Sequence, residues 1–382
     1  YEELVQFCNS LVSAHSAEVK MEFIGESQKG KKIPMLVFNR PESKEIEVKV
    51  WIQGGLHGNE MGSTESVLYM MDQILNNEKY STLLNRLEIA FVPMANIDGY
   101  EKQDRYAANG LDLNRDQTKL NIQESVYLKQ AFSDFNAEVA LDFHEYKPYR
   151  KDFVKFSTYG ITTLYDAMFL YSGNLNVPQS LRSYTKEHFV DVAKKELEKN
   201  GLRHHDYMST SKHLGDIHFN LGSENSRSSA SSYALTNCVS SLIEVRGVDL
   251  GKTSFKRRIN TAFIIGLSYL TTAYNNVDEV KSEIQKAKDS KHPATSKTVK
   301  KVYQDSIQVI DLDKNEEISL EITIRDALQL TSKLSRERPK AYLIAVTEQD
   351  AIAKLKVLGL KVKLLEMELD IEVEAYKVSS YV

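Results

Sequence analysis

At 382 residues the chain is about two to three times a usual domain, which points to one large domain plus something smaller. Its 49 Lys and Arg against 53 Asp and Glu leave a net charge of −4, which argues against a non-specific nucleic-acid binder, since that would need a strong cationic excess. With 42% hydrophobic residues the chain can bury a large core, so disorder is excluded as its main state, and its apolar runs are too short and interrupted for an integral membrane segment.

Only Cys8 and Cys238 occur, too few for a disulfide scaffold or a four-cysteine zinc site; they read as two buried free thiols, with a single long-range bridge as the alternative that sequence does not decide. The first residue is Tyr1 rather than Met, with no basic-then-apolar leader. Either a targeting peptide has been removed or the chain has been trimmed, and the first reading predicts a secreted or periplasmic location.

Alternation of apolar residues from Ile46 to Ile52 predicts a strand ending at Gly54-Gly55. Val67, Leu68, Met71, Ile74 and Leu75 then recur at helical spacing. A second strand spans Leu87 to Met94 and runs into the turn Asn96-Ile97-Asp98-Gly99. Helical spacing over Gln123–Phe135 precedes an apolar run from Val139 to Phe143. A helix after Tyr184 carries Phe189, Val192, Ala193 and Leu197 on one side and stops at Asn200-Gly201. The run Val239–Val245 is followed by a helix from Lys256 to Tyr274. Strands alternating with helices predict an α/β fold, a mixed and mostly buried sheet flanked by helices, over residues 1–275.

From Asp278 to Lys301 seven lysines face four acids, which reads as a Lys-rich helix and linker over 276–302. Beyond it, strands are expected at Ser306–Asp311, Ile318–Ile324, Ala341–Val346, Val362–Leu365 and Ile371–Val378, with a helix at Glu348–Leu358. These elements suggest a small C-terminal α+β accessory domain over 303–382. Asp311-x-Asp313-x-Asn315 starts like a calcium loop, but Glu316 and Ile322 stand where a Gly and a closing Glu are needed.

The chemistry-bearing residues follow the strands. His57 and Glu60, three apart on a turn entering a helix, can aim an imidazole and a carboxylate at one cation. Arg105 and the run Asp112-Leu113-Asn114-Arg115 place amide and guanidinium donors together, suited to holding a carboxylate. His144 ends the third run, and Glu244 sits inside the fourth, where a carboxylate is costly unless it is paired, metal-bound or catalytic. In open α/β sheets ligands bind beyond the carboxyl ends of the strands, so one cleft can collect these groups. Such an inventory suits metal-assisted hydrolysis of an acyl bond. His204, His205, His213 and His218 lack a clean i, i+4 pair and read as surface histidines, and Pro148 breaks a His-Glu-x-x-His pattern starting at His144.

His57-Gly-Asn-Glu60, Asn96-x-Asp98-Gly99, Gly110-x-Asp112-x-Asn114-Arg115, His144 and Glu244-x-Arg246 together resemble the M14 (carboxypeptidase A-like) zinc carboxypeptidases over residues 1–275. The resemblance implies one Zn²⁺ held by His57, Glu60 and His144, with Asp112 orienting a ligand imidazole. It implies Glu244 as general base, Arg105 as oxyanion stabiliser, and Asn114 and Arg115 on the terminal carboxylate of a peptide or peptide-like substrate. Tyr233 stands nearest to the family's mobile substrate-binding tyrosine, and Arg227 in the Ser-rich loop before it is a second substrate-binding candidate. Two rivals share the fold. One is an amidase or deacylase acting on cell-wall peptides or N-acyl amino acids. The other is a non-catalytic peptide-tail binder, against which stands the presence of every ligand and of the base.

Overall fold

The computed structural model describes residues 1–40, 47–150 and 158–375. In chain order its strands are β1 (Val19–Glu26), β2 (Lys32–Phe38), β3 (Val48–Gln53), β4 (Leu87–Val92), β5 (Val139–Tyr146), β6 (Tyr149–Arg150) and β7 (Ile161–Thr163). They continue as β8 (Ala167–Tyr171), β9 (His204–Asp206), β10 (Met208–His213), β11 (Asp216–Leu221), β12 (Val239–Arg246), β13 (Ala294–Asp311) and β14 (Glu316–Arg336).

Eight strands form one mixed sheet in the order β1-β2-β4-β3-β5-β12-β8-β9. The interior pairs β3–β4, β3–β5 and β5–β12 are parallel, the pairs β1–β2, β2–β4 and β12–β8 that flank them are antiparallel, and β9 lies parallel to β8 at the far edge. Parallel strands covered on both faces carry near-continuous apolar runs, and β4 and β5 are buried at every position. On one face Phe143 meets the helices Met61–Asn76 and Phe255–Asn275 close to Gly266 and Met70. On the other, Trp51 packs edge-on to Phe132 of the helix Gln123–Phe135, with ring centroids 5.5 Å apart. The helix Val277–Asp289 buries Val280, Ile284 and Ala287 in this same core. Cys8 and Cys238 are buried and unpaired. Among the described residues no helix is long and apolar enough to cross a membrane.

Strand β13 begins at Ala294, inside the stretch expected as linker, and pairs with β14 in a long hairpin. A six-stranded sheet in the order β10-β11-β14-β13-β7-β6 joins that hairpin to strands from the middle of the chain. Val309, Leu320, Ile322 and Ile324 from the hairpin share a small core with Ile161, Met208 and Phe219. The C-terminal segment therefore differs from a self-contained α+β unit. The expected helix appears as Gln349–Val357, but residues 341–345 and 361–366 are irregular rather than strands, and the expected strand at Ile371–Val378 lies partly outside the described residues. Alternation makes a strand only where an edge is available to pair with it. The helix Gln349–Val357 rests on the main body instead, where Ser133 donates to the Val357 carbonyl at 2.8 Å and Lys354 Nζ to Asn121 Oδ1 at 2.9 Å.

Candidate active site

Strand β3 ends in a turn that carries His57 and Glu60 into the helix Met61–Asn76. Gly55 sits at φ +65°, and a Cβ on Gly58 would lie 2.0 Å from the Gly99 carbonyl carbon, so the turn needs both glycines. Glu60 occupies the N-cap position without capping, because its carboxylate faces the histidines. His144 comes from the end of β5. His57, Glu60 and His144 are buried, and their ligand-type atoms lie within 4.8 Å of one another, the one such group of three or more among the described residues.

The contacts within this group call for a cation. His57 Nε2 meets Asp112 Oδ1 at 3.0 Å and His144 Nε2 meets Asp142 Oδ2 at 2.8 Å, so each carboxylate accepts the ring N–H on that side. That leaves both Nδ1 lone pairs pointing inward, 3.0 Å apart, at 2.7 and 2.8 Å from the Glu60 oxygens. Lone pairs converging in this way repel unless a proton or metal ion sits among them, and two imidazoles plus a carboxylate suit Zn²⁺. Burial pulls the Asp112 carboxyl up, but hydrogen bonding and charge from His57, with Arg105, hold it well below the usual carboxylate range.

Glu244 pairs in register with His144 across β12 and β5, which sets its carboxylate beside the histidine cluster. Its Oε2 is shielded from solvent and has no hydrogen-bond partner. Burial, then the charge of Glu60, pushes the Glu244 carboxyl up to about 7. Arg105 donates through Nε and Nη2 to Asp112 Oδ2 at 3.1 and 3.0 Å and through Nη1 to Glu60 Oε1 at 3.4 Å, which pins its guanidinium at the edge of the cluster.

The cleft widens on both sides of Arg105 and Glu244. One side, about 560 Å³, is lined by Asn114, Arg115 and Arg227, and the other, about 450 Å³, by Tyr146, Tyr149 and Met168. Asn114 Oδ1 accepts from the Ser229 N–H at 2.8 Å, leaving its amide NH₂ as the donor end, and Arg115 Nη1 donates to the Asn114 carbonyl at 2.8 Å. His57, Glu60, Arg105, Asp112, Asn114, Arg115, His144, Arg227 and Glu244 thus fall around one cleft.

Tyr233 does not join them, which corrects the expectation that it reaches substrate. Its ring is 1% exposed, stacked on Phe132 with centroids 4.0 Å apart, and its hydroxyl donates to Gln53 Oε1 at 2.8 Å. The short helix Ser229–Ala234 turns it into the core, which spacing from Glu244 along the chain does not reveal. The tyrosine lining both sides of the cleft is Tyr207, which sequence reasoning missed. Asp142 was missed as well, although it lies two residues before His144, and alternate strand residues share a face. Glu145 points to the opposite face. There it accepts two bonds from Arg258, at 2.7 and 2.8 Å, and one from the Gly62 N–H at 3.0 Å, while its own N–H donates to Glu60 Oε2 at 3.0 Å.

The peptidase M14 family model, described as zinc carboxypeptidase, matches residues 4–251. A probable carboxypeptidase 2 of Trichophyton verrucosum is 28% identical over 390 positions, covering 97% of this chain and 72% of that protein. Carboxypeptidase 2 of Trichophyton rubrum is 27% identical and covers 97% and 70% respectively. Among solved structures, a metallo-carboxypeptidase from Burkholderia cenocepacia aligns at TM-score 0.56 and 15% identity, covering 71% of this chain and 68% of that one. Carboxypeptidase A from Helicoverpa armigera aligns at TM-score 0.54 and 17% identity, with 72% and 73% covered. At those identities the two structures speak for the fold alone. The family match over more than half of its length establishes that this chain is a metallopeptidase of the M14 zinc carboxypeptidase family.

Proposed function

We propose that the protein removes the C-terminal residue of peptides by hydrolysing the amide bond next to a free carboxylate. His57, Glu60 and His144 would hold one Zn²⁺, which supplies a Lewis acid and a water acidified enough to attack at neutral pH. Glu244 takes the proton from the attacking water on its unpartnered Oε2 and returns it to the leaving amine. Arg105 offers N–H donors where negative charge grows on the carbonyl oxygen. Asn114 and Arg115 receive the terminal carboxylate, whose bidentate capture suits an amide and a guanidinium side by side. Asp112 and Asp142 keep the ligand imidazoles in one tautomer through their Nε2 bonds.

The observation that carries this reading is the shielded, partnerless carboxylate oxygen of Glu244 in register with His144, in the cleft that also contains Arg115. A burial cost of that kind is repaid by chemistry rather than by stability. The test is hydrolysis of one peptide with a free C-terminus and of the same peptide amidated. Loss of the charge-assisted contacts is expected to lower kcat/KM by about 100-fold or more. Equal cleavage of both would contradict the proposal, and faster turnover of a branched muropeptide or an N-acyl amino acid would favour the amidase or deacylase reading.

A further inference from the structure

The 560 Å³ side of the cleft holds more cations than the reaction uses. Four cationic side chains line it (Arg105, Arg115, Arg227 and Lys300) against two carboxylates, Glu224 and Glu244. Arg105 is held by Asp112, and on the carboxypeptidase reading Arg115 takes the terminal carboxylate while Glu244 serves the chemistry. Glu224 is neutralised by Lys300 at 3.3 Å, a residue that β13 of the C-terminal hairpin delivers to the pocket. Arg227 is left with no carboxylate partner among the described residues. Its Nε donates to the neutral Asn225 Oδ1 at 3.2 Å.

Arg227 is nonetheless firmly placed. Asn225 Oδ1 also accepts the Arg227 N–H at 3.0 Å, and the Arg227 carbonyl accepts from the Gln117 N–H at 3.2 Å. The Ser229–Asn114 bond ties the same loop to the residues proposed to hold the terminal carboxylate. A half-buried guanidinium fixed in this way, with no carboxylate paired to it among the described residues, is ready to receive an anion from substrate. The neighbouring wall is polar, with Ser209, Ser211 and Asn220, so an aliphatic or aromatic side chain would strip those groups of water without replacing their hydrogen bonds.

We propose that this pocket selects a C-terminal residue with a carboxylate side chain, which Arg227 receives, while Lys300 cancels the repulsion from Glu224. The proposal rests on the carboxypeptidase reading and adds the substrate class to it. The experiment measures kcat/KM of the zinc-loaded enzyme on matched acyl-dipeptides ending in Glu, Gln, Leu and Lys. Glu is expected to exceed its neutral isostere Gln by about 10- to 100-fold. Arg227→Gln should bring the Glu-to-Gln ratio close to one, and Arg227→Lys should keep part of it, since a point charge lacks the guanidinium fork. Lys300→Gln should shift the Glu-to-Lys ratio toward Lys by exposing Glu224. A wild-type preference for Leu or Lys, or a Glu-to-Gln ratio unmoved by Arg227→Gln, would overturn the pocket assignment and leave the carboxypeptidase reading intact. Failure to cleave any of the four would overturn both.

Discussion

The two sheets are stabilised in different ways, and the difference locates the function. In the eight-stranded sheet the interior strands are buried on both faces, and Glu145 there is bonded on several sides, to Arg258 and Gly62, whereas Glu244 keeps one oxygen without a partner. The six-stranded sheet buries only a small cluster around Val309 and Ile322, and much of the long hairpin is exposed. The first supplies the residues proposed for chemistry, which must stay fixed. The second lends Ser209, Ser211, Asn220 and Lys300 to one wall of the cleft, where variation changes what fits rather than whether anything reacts.

The sharpest way to break the first sheet's arrangement is Arg258→Gln. It strands the buried Glu145 carboxylate, so stability should fall by about 3–5 kcal/mol. Zinc affinity should fall with it, because Glu145 donates its N–H to Glu60. Denaturant melts and metal titration measure the two effects, and unchanged values for both would show that the buried pair holds nothing in place.

Val309→Ala strikes the second sheet and should cost about 1–3 kcal/mol by loss of buried methyl groups. If the sheets divide the labour as described, it raises KM more than it lowers zinc content. A variant that loses zinc but binds substrate normally would contradict the division.

The smallest expected effect concerns Lys129, which is fully buried beneath the first sheet and donates to Ser232 Oγ at 2.8 Å. Burial pushes its ammonium down from 10.5 to about 7. Between those two values the unfolded chain binds a proton that the fold does not, so wild-type stability rises with pH across that window. Lys129→Met removes the proton site. It should be more stable at neutral pH by about 1–2 kcal/mol, with a flatter pH dependence from 7 to 10.5 in thermal melts.

How much of this was legible in the sequence depends on how local each signal is. His57, Glu60, His144 and Glu244 could be read because the first three follow or end apolar runs and the last interrupts one near its end, and such positions gather at one edge of a parallel sheet. Asp142 was legible too, from the two-residue strand period, and went unread. The face that Tyr233 presents was not legible, since a six-residue helix gives too little periodicity to tell core from cleft. The C-terminal strands failed for another reason. Residues 294–336 had an edge to pair with, whereas the alternation at 361–366 looks the same in sequence and is irregular in the fold. Pairing partners far apart in the chain, such as β11 with β14, leave no trace in the local pattern.

The most direct test of the central claim is turnover of a zinc-loaded Glu244→Gln variant alongside its metal content. The amide keeps the size of the side chain and cannot accept the proton, so the variant should retain one zinc per chain and the native melting curve while kcat falls by about 10²–10⁴-fold. Native zinc content with undiminished kcat would contradict the assignment of Glu244 as the base.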